Sequence, residues 1–503
     1  EETPNNLHMV LRTLAGLMVH PNVGAVLAVD GGSEAINNRV LADYMEAEGY
    51  PLNDVVHRFM SLDRNFDAAL AAGEECLLSW LGPLAAMERS EQPLSQLKLA
   101  LQCGGSDAFS GISGNPLAAW VAHEIIRCGG SANLAETDEL IGAEPYVLQN
   151  VRDLKTAERF LEMVEHFKTW SAWHGNSADS NPSGGNKLRG IYNIVLKSIG
   201  AARKRHPAVR LDYAIDYAAP MNRPGYYFMD SPGNDLESIA GQVAGGCNLI
   251  FFVTGNGSIT NFPIVPTIKI VTTTKRHAML PAEMDVNAGA FLDGTSMAEL
   301  GTKTFELSVS VASGRRTCGE SAGHAQVQLW RNWQQQDGTM LEVLRQQRPP
   351  SGQPIAIRTQ QSVAMPKLEG LRTARGIAID QIGLILPTSL CSSQIARMTA
   401  ETLNAKEIGR GRGISRFVAL VHTEGCGVSA GYAEDLQLQT LVGYLTHPLV
   451  GGAFLIEHGC EKTHNDYLSI ELEQRGKDPR EYGWASIQLD GGIAAVLRKV
   501  EEW

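Results

Sequence analysis

Three cysteines near the carboxyl end of the chain, Cys391, Cys426 and Cys460, each follow a short apolar run by about five residues: Ile382–Leu386, Arg416–Val421 and Gly452–Ile456. Such runs, bounded by glycine and polar turns, read as strands of βα units. In an open parallel sheet the loops after the carboxyl ends of strands converge on one crevice, so the three thiols are expected to meet there. A thiolate in that position can hold a transition metal or act as a nucleophile. One cysteine near a strand end is an ordinary small hydrophobe. Three in the same phase of successive units point to a ligand cluster, favoured further by the helix N-termini that open at such loops.

The third of these loops has a relative at the other end of the chain. Thr440-Leu-Val-Gly-Tyr-Leu-Thr-His447-Pro448 and Glu457-His-Gly-Cys460-Glu461 repeat Thr13-Leu-Ala-Gly-Leu-Met-Val-His20-Pro21 and Asp30-Gly-Gly-Ser33-Glu34 at a constant offset of 427, and Asn38 falls on Asn465. A fixed offset over that length reads as a duplicated unit. Ser33 stands where the later copy has Cys460, which places the chemistry in the C-terminal copy.

Glycine clusters in the middle of the chain supply a different chemistry. Leu101-Gln-Cys103-Gly104-Gly105-Ser106-Asp107, Asn181-Pro-Ser-Gly-Gly-Asn-Lys187, Met229-Asp230-Ser-Pro-Gly233, Gly241-Gln-Val-Ala-Gly245-Gly246 and Thr254-Gly-Asn-Gly257-Ser258 are turns whose backbone amides can approach an anion. Each alone is an ordinary tight turn; together they argue for a loop-built site that binds a carboxylate or phosphate.

The elements that carry these loops are expected to be α/β. The chain of 503 residues exceeds the size of a single core. We divide it into a partial N-terminal Rossmann-like copy (1–92), a central α/β substrate domain (93–347), a linker (348–376) that includes Arg348-Pro-Pro-Ser-Gly-Gln-Pro354, and a C-terminal Rossmann-like, doubly wound module (377–503). A net charge of −12 offers no basic face for nucleic acid or an anionic membrane. Eight cysteines without a CxxC pair are too dilute for a disulfide framework. No apolar run approaches the ~20 residues of a membrane helix, and the amino end shows no signal-peptide pattern, so a cytoplasmic protein is expected.

The central motifs, with Ala135-Glu-Thr137, Gly142-Ala-Glu144, Pro266-Thr-Ile-Lys269 and Leu292-Asp-Gly294, resemble the altronate and galactarate dehydratase family, to which the large subunit of sulfolactate sulfo-lyase also belongs. In that family the loops resembling those of Cys391, Cys426 and Cys460 precede the Gln-Cys-Gly-Gly-Ser-Asp motif; here they follow it. The resemblance implies a cytoplasmic lyase that removes water from a sugar acid to give a 2-keto-3-deoxy acid. Loss of sulfite from a sulfonated hydroxy acid, or a non-catalytic partner role, are the alternatives. It implies Fe(II) or an iron–sulfur cluster, with Mn(II) as a further option, on Cys391, Cys426 and Cys460, with His422 as fourth ligand or support and Cys103 as a contributor. Lys187, Lys269, Asp107 and Asp230 are the acid/base candidates, and Gly104, Gly105, Ser106, Gly233, Gly245, Gly246 and Gly257 the substrate-binding positions. A homodimer is expected, and the small N-terminal domain of many family members has no counterpart here and is expected upstream, on a separate subunit, or not at all.

Overall fold

A computed structural model describes residues 6–62, 65–330, 339–347, 352–354, 367, 369–425 and 431–503. Cys426 lies outside the described residues, as do most of the linker residues.

The central domain is built on seven parallel strands: β3 (Lys98–Cys103), β4 (Ser131–Leu134), β5 (Leu211–Ile215), β6 (Gly225–Met229), β7 (Leu249–Thr254), β8 (Thr267–Val271) and β9 (Val286–Asn287). Their order is β5-β6-β4-β3-β7-β8-β9. Every residue of β7 is buried, as a parallel strand covered on both faces requires. Each large aliphatic or aromatic side chain so buried stabilises the fold by roughly 1.5–3 kcal/mol. Alternation along β3 divides the two cores. Leu99, Leu101 and Cys103 join residues of a helix at Asn115–Arg127, whereas Ala100 joins Ile239, Ala240 and Val243 of a helix at Asp235–Ala244.

The C-terminal module has the expected doubly wound α/β form. Parallel strands β12 (Ile382–Pro387), β13 (Phe417–Ala419), β14 (Val450–Glu457) and β15 (Gly483–Ser486) lie in the order β13-β12-β14-β15. Helices Leu390–Ala405 and Ile493–Glu502 cover one face, packing Ile395, Ala396 and Val496 on Ile385, Phe454 and Ile456. Helices Tyr432–Leu445 and Asn465–Gln474 cover the other through Leu441, Leu468 and Leu472 on Leu384, Leu386 and Leu455. A short antiparallel hairpin, β10 (Leu371–Thr373) and β11 (Gly376–Ala378), precedes this sheet; the sequence pattern had placed most of it in the linker.

The N-terminal unit holds one parallel pair, β1 (Ala25–Asp30) and β2 (Val56–Ser61). Its flanking helices, Leu7–Met18 and Asn38–Ala47, end or begin at the offset positions of Tyr432–Leu445 and Asn465–Gln474. The loop after the strand is alike in part, the glutamate at each end of the offset accepting from the amide three residues before it and from one other. Glu34 accepts from the amides of Gly31 (2.8 Å) and Ser33 (3.0 Å), and Glu461 from those of His458 (2.7 Å) and Gly459 (2.6 Å). His20 Nδ1 accepts from Asn22 N (3.1 Å), and His447 Nδ1 from Leu449 N (3.2 Å).

Candidate active site

The carboxyl ends of the central and C-terminal sheets meet at a polar cavity. From the central domain its wall takes Gly104 and Gly105 after β3, Glu139 after β4, Gly233 and Asp235 after β6, and Asn181, Asn186 and Lys197; from the C-terminal module it takes Gly425, Cys460 and Lys462. Two glycines bring backbone to this wall because nothing larger fits. A Cβ on Gly104 would stand 2.2 Å from Asp235 Oδ2 and 2.4 Å from Phe252 Cζ, and one on Gly233 would stand 2.7 Å from Asp138 Oδ1.

Beneath the glycines lies a buried charge network. Lys197 Nζ, on the helix Ile194–Ala202, pairs with Glu139 Oε1 at 2.6 Å and donates to Asn181 Oδ1, while Asn181 Nδ2 donates to Asp138. One layer deeper, the fully buried Lys204 ammonium pairs with Glu136 and lies 3.1 Å from Cys103 Sγ. Burial works against charging either lysine, yet the surrounding acidic groups hold both above the usual range. Burial and Glu139 push the Asp138 carboxyl up to about 6. Cys103 is held as a thiol by burial and by Glu136. Cys103, Glu136 and Glu139 offer three ligand atoms within 4.8 Å of one another. The Lys204 ammonium shares that spot with them.

The thiol loops are laced together. Thr388 Oγ1 (2.6 Å) and Ser389 Oγ (3.1 Å) donate to Glu461, and the amide of Leu390 donates to Glu424 O at 2.8 Å. Burial opposes the charge on Glu461, but the Thr388 hydroxyl and the Gly459 amide hold its carboxyl below the usual range. Cys460 reaches the cavity wall. Cys391 sits 5% exposed in the first turn of its helix, among Leu236 and Leu390, and Leu236 follows the wall residue Asp235. Gly425, the residue before Cys426, is on the wall. Cys460 and Gly425 thus share the wall, with Cys391 packed on the residue next to Asp235.

His458, which the sequence reading passed over, ties the Cys460 loop to the central domain. The Ile259 amide, which can only donate, lies 3.2 Å from His458 Nε2. Nε2 therefore accepts, the ring proton sits on Nδ1, and Nδ1 faces Cys460 Sγ at 3.2 Å. Burial lowers the pKa of His458 and keeps it neutral.

Other expected residues stand elsewhere. His422 has both ring nitrogens engaged, Nε2 with Pro387 O at the end of β12 (2.9 Å) and Nδ1 with Glu424 N (3.2 Å). Lys187 is exposed and off the cavity wall. Lys269 is fully buried within β8, its Nζ without a hydrogen-bond partner among the described residues. Asp107 is held by Thr272 Oγ1 (2.9 Å), Ser110 and the Phe109 amide, and lines a neighbouring pocket with Ser106. Asp230 accepts from Thr137 Oγ1 at 2.6 Å, and burial pushes it up to about 6. Gly245 and Gly246 end the helix Asp235–Ala244 at the opposite edge of the sheet, where Gly246 takes φ +106°; the other end of that helix is the one on the cavity. Gly257, φ +94°, packs against Leu280. The groups on the wall that the sequence reading missed, Glu139 and Lys197, belong to segments with little motif character. The one signal was the run Glu136-Thr-Asp-Glu139 directly after a strand.

Two parallel-sheet modules that close a glycine-lined, lysine- and carboxylate-bearing cavity between their strand ends define an α/β protein with an enzyme-type ligand site. The D-galactarate/altronate dehydratase C-terminal domain model matches residues 94–335, and the model for the second domain of D-galactarate dehydratase/altronate hydrolase matches 1–84 and 371–503. The chain belongs to this dehydratase family. It is 35% identical to altronate dehydratase of Escherichia coli over 314 residues, covering 62% of each chain. It is 28% identical to galactarate dehydratase (L-threo-forming) of the same organism over 316 residues, 61% of this chain and 59% of that one. It is also 28% identical over 330 residues to the (2R)-sulfolactate sulfo-lyase subunit beta of Chromohalobacter salexigens, 65% of this chain and 83% of the relative. The chain thus spans about three fifths of the length of the altronate and galactarate dehydratases. No helix among the described residues is long and apolar enough to cross a membrane.

Proposed function

We propose that this chain is a hydro-lyase that dehydrates a sugar acid of the altronate or galactarate type to a 2-keto-3-deoxy acid. The observation that carries the reading is the shared wall of Gly104, Lys197, Glu139 and Cys460, which joins an anion-binding backbone, a charged lysine and a thiol at one cavity. The chemical difficulty is the proton on the carbon beside the substrate carboxylate, because its removal adds a second negative charge there. Lys197, kept charged, places a cation where that charge develops. Glu139, paired with Lys197, takes the C2 proton, and Lys462 protonates the C3 hydroxyl as it leaves as water. The amides of Gly105 and Gly233 orient the carboxylate, while that of Gly104 donates to Val253 O (3.0 Å).

The donor set fits a thiolate-preferring metal: Cys460 lies on the wall with His458 Nδ1 at 3.2 Å, Gly425 lines the same wall, and the loop of Cys391 is fastened beside it through Ser389 and Glu461. Cys391, Cys426 and Cys460 would hold Fe(II) or an iron–sulfur cluster, with Mn(II) a poorer match to thiolates. Such a centre supplies Lewis-acid stabilisation of the doubly charged carboxylate. A second reading, elimination of sulfite from a sulfonated hydroxy acid, is favoured by the 83% of the sulfo-lyase beta subunit that the chain spans.

The test is anaerobic assay of altronate, galactarate and sulfolactate with the Fe(II)-loaded protein. A 2-keto-3-deoxy acid from either sugar acid supports the first reading. Sulfite release alone moves the assignment to the second, and no turnover of any of the three by metal-loaded protein refutes both.

A further inference from the structure

Two arginines that the lyase chemistry leaves unused stand beside the cavity wall. Arg189 is the C-cap residue of the short helix Gly184–Leu188, in which Gly185 lies between the wall residues Ser183 and Asn186. A Cβ on Gly185 would stand 3.3 Å from Arg189 Nη1 and 3.5 Å from both Asn256 Nδ2 and Gly459 O. Arg276, on the helix Thr274–Met279, reaches the same place by another route. Its Nη1 donates to Gln488 O at 2.9 Å, and a Cβ on Gly459 would stand 2.7 Å from Gln488 Oε1. Gly459 directly precedes the wall residue Cys460.

Both guanidiniums are half-buried and short of partners. Among the described residues Arg189 donates to Gly185 O (3.2 Å) and Arg276 to Gln488 O, and neither meets a carboxylate at ion-pair distance. A guanidinium carries five N–H donors in a fixed fork, so most of this capacity is open. Burial and then the charge of Arg189 lower the pKa of Arg276, while Asp107 acts the other way. The Asp107 carboxyl is itself engaged by Thr272, Ser110 and the Phe109 amide, and burial raises its pKa. Two like charges held close in a partly desolvated place favour an anion between them. Asn256 adds a neutral donor: it is 0% exposed, and neither Nδ2 nor Oδ1 has a hydrogen-bond partner among the described residues. A Cβ on Gly105 would stand 3.4 Å from that Nδ2, so the side-chain amide links the Gly105 wall to Arg189.

We propose that Arg189, Arg276 and the Asn256 side-chain amide form a subsite for a second carboxylate, which makes the substrate of this chain a dicarboxylic, aldaric-type acid and not a monocarboxylic one. The inference rests on the dehydratase reading for where the first carboxylate lies, on the amides of Gly105 and Gly233. The planar fork of a guanidinium matches a carboxylate through two parallel N–H···O bonds. A carboxylate set between the arginines also offsets their mutual repulsion.

The test compares galactarate with galactonate, which differ only in carrying a carboxylate or a hydroxymethyl group at the far end of the chain. Binding is measured by titration calorimetry on the whole protein before Fe(II) is added, so that neither acid turns over. Galactarate is expected to bind at least about tenfold more tightly. Arg189→Leu is expected to bring it to within about threefold of galactonate. Arg276→Lys, which can keep the contact with Gln488 O and loses the fork, is expected to narrow the gap as well. Should Arg189→Leu lose the wild-type melting transition, Arg189→Lys serves instead. Equal affinity for the two acids, binding of neither, or a preference unchanged in both variants overturns the proposal. So does tighter binding of galactonate 6-phosphate than of galactarate, which assigns the subsite to a phosphate. The dehydratase reading is judged separately, after anaerobic Fe(II) loading. Selective binding with no 2-keto-3-deoxy acid formed sinks that reading and leaves the subsite standing, and turnover without selectivity does the reverse.

Discussion

Replacing Lys204 by methionine tests whether the deepest layer of the site is held by charge balance. Lys204 and Glu136 are each 0% exposed at the side chain, and the ammonium also meets Cys103 Sγ at 3.1 Å. Removing one member of such a pair strands the other in a medium of low polarity, a cost of about 3–5 kcal/mol. In a domain of the central unit's size each kcal/mol lowers the melting temperature by about 2–4 °C, so Lys204→Met is expected to lower it by roughly 6–20 °C. The double variant Glu136→Gln/Lys204→Met keeps the volume and removes the stranded charge, and should recover more than half of that loss. Scanning calorimetry of wild type, both single variants and the double variant closes the cycle, with hydrogen exchange in β3 and β4 reporting on the central domain itself. A double variant as unstable as Lys204→Met, or a single-variant shift under about 3 °C, would refute the charge-balance account.

Gly104→Ala places a methyl 2.2 Å from Asp235 Oδ2 and 2.4 Å from Phe252; it should cost about 1–3 kcal/mol in chemical denaturation and raise KM for the acid substrate. Burial raises Asp230 from 3.8 to about 6, so its neutral form is favoured in the fold: its contribution is fully present below pH 3.8 and lost as pH rises through about 6, up to about 3 kcal/mol. Asp230→Asn should flatten that decline in melting temperature measured between pH 4 and 7, and a decline of unchanged size would rule it out. Cys460→Ser recreates the Ser33 loop of the other copy and should lower iron content after anaerobic loading without shifting the melting temperature of the metal-free protein; full iron content would remove Cys460 from the ligand set.

The fold was legible where hydrophobic runs and turns repeat: Ile382–Leu386, Gly452–Ile456 and Leu249–Val253 are strands within two residues of the expected bounds. The meeting of Gly425 and Cys460 on one wall followed from strand phase, because loops at the carboxyl ends of parallel strands have few places to go. The polar residues on the cavity wall are not those that motif ranks first. Lys187, Asp107 and Asp230 sit in the conspicuous glycine and proline loops, yet Lys187 is exposed on the short helix Gly184–Leu188 and the two aspartates serve as acceptors for Thr272 and Thr137. Lys197 lies in the helical stretch Ile194–Ala202, where a lysine is usually solvated, and only packing against Glu139 and Asn181 turns it inward. Gly245 and Gly246 show the same limit, since a glycine pair at a helix end looks alike in sequence whether it stops the helix or cradles a ligand.

The anchoring of His458 by the Ile259 amide bears on when, during synthesis, this protein acquires its site. Residues around Gly104 leave the ribosome long before those around Cys460, and domains generally fold as they emerge. The central domain thus waits with its lysine–carboxylate cradle open while the thiol loops are still being made. The C-terminal module then docks through His458, through Arg276 on Gln488 O (2.9 Å) and through Glu283 on the Ile493 amide (3.0 Å). A chain halted before the C-terminal module is made would hold a folded central domain and no complete cavity, so it is the docking of that module that completes the site.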